Sequence, residues 1–114
     1  MIDWGRVAEL RDEIGDDGFA EVLELFLDEV EAVVMRLGRN PAKLEDDLHF
    51  LKGSAWNLGF TGFGAMCQEG ERKSAAGRAH EVDVSAVLAS YGASKIEFMA
   101  RVGEYCDSCA RRAG

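Results

Sequence analysis

The chain has almost no proline: Pro41 stands alone among 114 residues. With so little to interrupt it, the backbone is free to run in long helices. Histidine is nearly as scarce, with only His49 and His80. Cysteine occurs three times, at Cys67, Cys106 and Cys109. That odd number frames no set of disulfides and reads as reduced thiols of a cytoplasmic protein. There is no run of about 18 apolar residues, so no membrane span is expected. No basic segment leads into an apolar one near the start, so no signal peptide is expected either. Positive charge is in deficit: 13 Lys and Arg against 21 Asp and Glu give a net charge of −8. Phosphate backbones require a basic footprint, so nucleic acid is excluded as a partner and anionic membrane surfaces are disfavoured. Period-two alternation, the mark of a half-buried strand, is missing throughout. So are the glycine loops that cradle nucleotide phosphates.

What remains is ordinary globular composition, 47% hydrophobic and 30% charged. Residues 1–114 make one domain's length, which buries about two-thirds of its unfolded surface without metal or disulfide staples. Glycines supply the punctuation that proline does not. Gly15, Gly38, Gly59 and Gly77 each close an apolar or helical stretch, where a C-cap is expected. Asn40 before Pro41 reads as an N-cap followed by proline at the first helical position. These signals predict five helices: Trp4 to Ile14 capped by Asp3, Gly18 to Leu37 capped by Asp17, Pro41 to Leu58, Gly62 to Ala76 capped by Thr61, and Val84 to Arg111 capped by Asp83. In the second, Phe19, Val22, Leu23, Phe26, Val30, Val33, Val34 and Leu37 recur at steps of three and four. In the fifth, the stripe Val87, Leu88, Tyr91, Phe98, Val102 and Tyr105 is interrupted at Ser94 and Lys95. The expected fold class is all-α, an up-and-down four-helix bundle with a short additional N-terminal helix.

The third helix carries the chemistry, in the stretch LHFLKGSAWNLG, residues 48–59. Leu44, Leu48, Leu51, Ala55 and Leu58 form its core stripe. His49, about 100° round from Leu48, falls on the flank of that stripe beside Glu45, Lys52, Gly53 and Trp56. A glycine inside a helix costs roughly 1 kcal/mol relative to alanine. Helical side chains lean toward the N-terminus, so any side chain at position 53 would lean over His49. Gly53 leaves the imidazole uncovered, and Lys52 puts a cation on the same face. A nucleophile, an open approach and a nearby cation suit a phosphoryl group, and imidazole is nucleophilic near neutral pH. Taken alone, a histidine on a helix flank is more often structural, and Gly53 reads equally as a packing glycine.

The stretch closely resembles the signature of histidine-containing phosphotransfer (HPt) domains. That pattern is a histidine, a lysine three on, a glycine four on, a serine and another small residue, then Leu-Gly at nine and ten. Here these are His49, Lys52, Gly53, Ser54, Ala55, Leu58 and Gly59. The stretch IDWGRVAELRDEIGDDGFAEVLELFLDEVEAVVMRL looks like the family's N-terminal helix and first bundle helix, and FGAMCQEGE like the start of the helix after the signature. The resemblance covers roughly residues 2–75; the last helix matches by length and pattern only. It implies a four-helix bundle that carries a phosphoryl group on His49. The group passes to and from aspartates of response-regulator receiver domains, or is accepted within a hybrid histidine-kinase relay. The resemblance implies no kinase or ATPase activity and no cofactor on this chain, since the receiver supplies magnesium and acidic residues. Lys52 would balance phosphoryl charge, Gly53 would keep access open, and Trp56 and Ser54 would help bind the partner. Two residues depart from the family. Phe60 stands where a small residue is common. Glu71 aligns with a glutamine that hydrogen-bonds the histidine in some relatives; a glutamate would accept from an imidazole N–H but repel a phosphoryl group, so its role is open.

Other groupings are weaker. Cys106-x-x-Cys109 has the spacing of a metal or redox pair, with Cys67 and His80 as the only further soft ligands. Two cysteines at that spacing near a helix end are more often incidental, and no metal site is expected. Asp46-x-x-His49 is half of a carboxylate-bridged di-metal motif, but Gly77 stands at the matching position before His80, so that site is rejected. The run Glu45-Asp46-Asp47 reads as a solvated helix start favoured by the dipole. Trp56, seven residues beyond His49, is either a boundary core residue or an exposed anchor for a partner. Phe60 and Phe63 are expected to pack at the helix corner. Besides a phosphocarrier, the residues leave open a non-catalytic helical adaptor that binds a receiver or kinase without being phosphorylated, and a thiol metal-binding bundle.

Overall fold

Asp3 starts the first helix as its place before Trp4 predicts, accepting a hydrogen bond from the Arg6 amide at 3.1 Å. This helix, α1 (Trp4–Arg36), turns sharply at Gly15, where φ is 81° and ψ 168°. That region of backbone space belongs to glycine. The computed structural model describes the backbone of residues 1–113 and the side chains of residues 1–110. In it the two predicted N-terminal helices are both present, one on each side of this break. The second predicted helix resumes directly after Gly15, so Asp17 lies inside its first turn rather than before it; its carboxylate accepts from the Ser108 hydroxyl at 2.5 Å.

The third predicted helix begins as a 3₁₀ turn over Pro41–Lys43 and continues as α2 (Leu44–Leu58). Asn40 Oδ1 accepts from the Ala42 amide at 3.1 Å, the cap expected before the proline. Asp47 departs from the predicted solvated run: it is buried and pairs with Arg36 at 3.1 Å. α3 (Thr61–Ala75) follows after two residues. Thr61 is not its cap either. It lies inside the helix, Phe60 holds the cap position without a side-chain bond, and the Thr61 hydroxyl donates to the Met1 carbonyl at 2.9 Å. A second 3₁₀ turn, Ala79–Glu81, carries His80 and precedes α4 (Val84–Arg101), which Asp83 caps through the Ala86 amide at 3.0 Å. Among the described residues only Gly15, Gly38, Gly59 and Gly77 have positive φ, the four stops read from the sequence.

The fifth predicted helix does not reach Arg111. It ends at Arg101, a 3₁₀ turn spans Val102–Glu104, and α5 (Asp107–Ala113) starts afresh. The break is not at the interrupted stripe. Ser94 is buried, and Lys95 pairs with Glu31 of α1, whose carboxylate also accepts from the Tyr91 hydroxyl at 2.7 Å. Polar residues here face a neighbouring helix, so an apolar count skips them. The break comes where α5 folds back. Asp16 accepts from the amides of Asp107 and Ser108 at 2.7 and 2.9 Å, capping α5 from another helix. At Gly103 a Cβ would lie only 3.0 Å from that of Ala110. Inside this turn Cys106 and Cys109 are paired as a disulfide, where the sequence leads one to expect reduced thiols. The fold-back brings their Cα atoms to 5.2 Å, within the range a disulfide spans. Cys67 remains a free buried thiol, pushed up to about 12 by burial and then by the charge of Glu71. Asp16→Ala is expected to cost about 1–2 kcal/mol, as loss of a helix cap does. A thermal melt with retained bulk helicity checks it.

The helices are joined by short connections and share one core. Phe60 and Phe63 are fully buried at the corner between α2 and α3, as expected, and the Phe60 ring lies 5.0 Å from Phe26 and 5.1 Å from Phe98. Before the kink, α1 closes one end, with Trp4 stacked on Phe98 and Tyr105 at 5.5 and 4.9 Å. α2 and α3 make the closest pair, because α3 offers small residues to α2. A Cβ on Gly64 would overlap the Trp56 indole, and one on Gly70 would lie 2.9 Å from Leu48 Cδ1. No helix among the described residues is long and apolar enough to cross a membrane.

Candidate functional site

The core stripe of α2 fixes its rotation: Leu44, Leu48, Leu51, Ala55 and Leu58 are all buried. His49 is thereby turned outward, with its side chain 69% exposed. Gly53, one turn on, is exposed, and a Cβ added to it would meet nothing within 4 Å. A packing role for this glycine has no neighbour to act on. Lys52 is less exposed than a flanking lysine should be, at 20%, because Glu71 of α3 holds it with Nζ 2.6 Å from Oε1. The other oxygen of Glu71, Oε2, lies 2.7 Å from His49 Nδ1. One carboxylate spans both groups.

Sequence reasoning left Glu71 without a role, yet a signal was there. α2 and α3 run antiparallel about a corner at Phe60. His49 and Glu71 are equally far from Phe60 along the chain, as are Trp56 and Gly64, which also touch. Small residues at Gly64, Cys67 and Gly70 line the same face of α3 and let Glu71 come within hydrogen-bonding reach.

The Lys52 ammonium, and after it the His49 ring, hold the Glu71 carboxyl below the usual carboxylate range against an opposing push from burial. Glu71 is thus ionised near neutral pH and can only accept, so His49 Nδ1 is the donor. In the neutral form of the ring the lone pair is then on Nε2. Nε2 makes no hydrogen bond among the described residues.

Trp56 combines both expected characters. Its indole rests over Gly64 while 40% of the residue stays exposed, and Lys52 Nζ stands 5.9 Å from the ring centroid. Phe50, 37% exposed, lies about 100° round α2 from His49, one turn before Ser54. Ser54 does not join this face. It lines a shallow groove between α1 and α2 with Leu25, Phe26, Glu29 and Asn57. No three His, Cys, Asp or Glu side chains are grouped to hold a metal among the described residues. The Cys106–Cys109 bridge uses both sulfurs of the CxxC pair.

A family model of the Hpt domain matches residues 21–105. The chain belongs to the Hpt domain family. Comparisons with curated proteins and with solved structures gave no match. The Hpt match begins after the Gly15 kink and runs through α4 to Tyr105, past the roughly 2–75 span of the resemblance. It leaves out the first segment of α1 and all of α5. Hpt domains act in two-component phosphorelays as phosphocarriers rather than as kinases, and interact there with receiver domains and kinases. His49, Lys52, Gly53 and Glu71 all lie within the matched span.

Proposed function

We propose that the chain is a histidine phosphocarrier whose Nε2 of His49 accepts a phosphoryl group from, and returns it to, receiver-domain aspartates. One observation carries this reading: an exposed ring whose Nδ1 is engaged by Glu71, whose Nε2 has no hydrogen bond among the described residues, and which lies one turn from an uncovered Gly53. In the accepting direction the Nε2 lone pair attacks phosphorus, the P–O bond of the aspartyl phosphate breaks, and the aspartate leaves as a carboxylate. The donating direction reverses each step. Gly53 leaves room for the in-line approach of the receiver. Lys52 offers positive charge to the phosphoryl oxygens. Trp56 supplies the apolar part of a docking face, and the Phe50 side and the groove at Ser54 flank it. Magnesium belongs to the receiver, and the chain itself calls for no cofactor. Receiver domains, a hybrid histidine kinase or both are the partners, and the cytoplasm is the place. In a reducing cytosol Cys106 and Cys109 would be two buried thiols, with Asp16 left to hold α5.

The test is incubation with phosphorylated receivers, with ATP alone as the control. An acid-labile, alkali-stable label from receivers and none from ATP is expected; an adaptor that only binds would take no label. Lys52→Ala is expected to keep the fold, since a part-exposed pair contributes about 0–1 kcal/mol, and to slow transfer severalfold. Equal transfer rates for variant and wild type would remove Lys52 from the chemistry.

A further inference from the structure

The start of α1 and all of α5 lie outside the matched span, residues 21–105. These two parts of the chain are fastened together. The Arg11 guanidinium donates to the Tyr105 carbonyl at 2.7 Å, and Trp4 stacks on the Tyr105 ring. Asp16 accepts from the amides of Asp107 and Ser108, and Asp17 from the Ser108 hydroxyl. Cys106 and Cys109 sit in this clasp, and both fall beyond the match. A helix of seven residues is too short to stand alone, because fixing its first turn costs more than the first hydrogen bond returns. A bond between Cys106 and Cys109 closes that turn covalently. Without the bond, the turn rests on the two aspartates of α1.

We propose that Cys106 and Cys109 are a reversible redox site that exchanges with low-molecular-weight thiols and sets how firmly α5 is clasped to α1. Both residues are buried, but they stand differently. Cys109 borders a groove of about 540 Å³ between α1, α4 and α5, beside Leu27 and Met99, so an incoming thiolate reaches it first. Cys106 is turned inward. Its Sγ accepts from the Cys109 amide at 3.2 Å and lies 3.5 Å from the Asp16 carbonyl oxygen. That carbonyl is an acceptor in place for the S–H of a reduced Cys106. Both redox states therefore find partners in one clasp. In the reducing direction a thiolate attacks the Cys109 sulfur, the bridge breaks, and Cys106 leaves as a thiolate and takes up a proton. A second thiolate attacks the external sulfur of the mixed disulfide and frees Cys109, which is protonated in turn. Two electrons enter the pair, and the two external thiols leave as one disulfide. Oxidation reverses each step.

The coupling runs both ways. The docked turn holds the two Cα atoms at 5.2 Å, whereas a loose turn must first be gathered. Whatever docks the turn therefore favours the bridge, and the bridge favours docking by the same factor. Wild type and Asp16→Ala are equilibrated in a series of glutathione and glutathione-disulfide mixtures, quenched in acid, and alkylated while unfolded. Intact mass then counts one thiol in the oxidised chain, that of Cys67, and three in the reduced chain. A single transition between the two, the same from either end, is expected. Asp16→Ala is expected to form the bridge roughly three- to tenfold less readily than wild type, the factor that loss of a helix cap carries. Ser108→Ala removes only the hydroxyl held by Asp17. It is expected to move the same way, and it decides the matter if Asp16→Ala loses bulk helicity. Reduction of the wild type should lower the melting temperature by several degrees. A bridge that forms in none of the mixtures, bound glutathione in place of a bridge, or equal bridging in wild type and variants overturns the proposal. None of these outcomes depends on phosphorylation of His49.

Discussion

His49→Gln is expected to take up no phosphoryl group from any receiver that loads the wild type. Glutamine keeps a polar side chain of similar reach, but its amide nitrogen shares its lone pair with the carbonyl and is no nucleophile. The fold should survive. The ring is 69% exposed, and its one side-chain hydrogen bond is to Glu71. Losing that bond costs about 1 kcal/mol. A fall of label to background in a protein with a near-native melt would separate lost chemistry from lost structure. Undiminished loading of the variant would place the phosphoryl group elsewhere.

Gly53→Gln is expected to fold at least as well as the wild type and to transfer far more slowly. A Cβ at position 53 meets nothing within 4 Å, so the helix loses a flexible residue and gains a better helix former. Replacing a helical glycine in free space stabilises by about 0.4–1 kcal/mol. The new side chain leans back toward His49 and stands in the path of an in-line aspartate. Displacement of reacting groups by about 1 Å can cost 10²-fold, so a loss of ten- to a hundredfold in transfer rate is expected. A melt and a transfer time course on one sample decide it. A stable variant with full transfer would end the access argument.

Local features were legible in the sequence. Asp3, Asn40 and Asp83 cap where their side chains fall beside a helix start, and all four stop glycines sit at positive φ. The stripe of α2 and the outward turn of His49 follow from spacing alone. What escaped depends on partners distant in sequence. Asp17 reads as a helix cap from the sequence and Asp16 carries no signal, yet the two bind the hydroxyl and backbone of α5, more than 90 residues away. Lys95 looked like a gap in an apolar stripe because its partner, Glu31, is on α1. The resemblance aligns Glu71 with a glutamine that meets the histidine in some relatives, but its grip on Lys52 depends on how closely α2 and α3 approach, where α3 presents small residues. Ser54 lies five residues beyond His49, well round the helix, so its place beside α1 could have been read from the same geometry.

The two tryptophans of the chain sit in opposite surroundings. Trp4 is sandwiched by Phe98 and Tyr105 with the Arg101 guanidinium 4.8 Å from its ring, while Trp56 shows its edge to water seven residues from His49. Indole emission depends on local polarity and on access for dissolved quenchers. Trp4 therefore reports on the integrity of the core and Trp56 on what covers the face around the histidine. A receiver settling there would take the second fluorophore out of water and leave the first unchanged, so docking can be followed optically without attaching a dye.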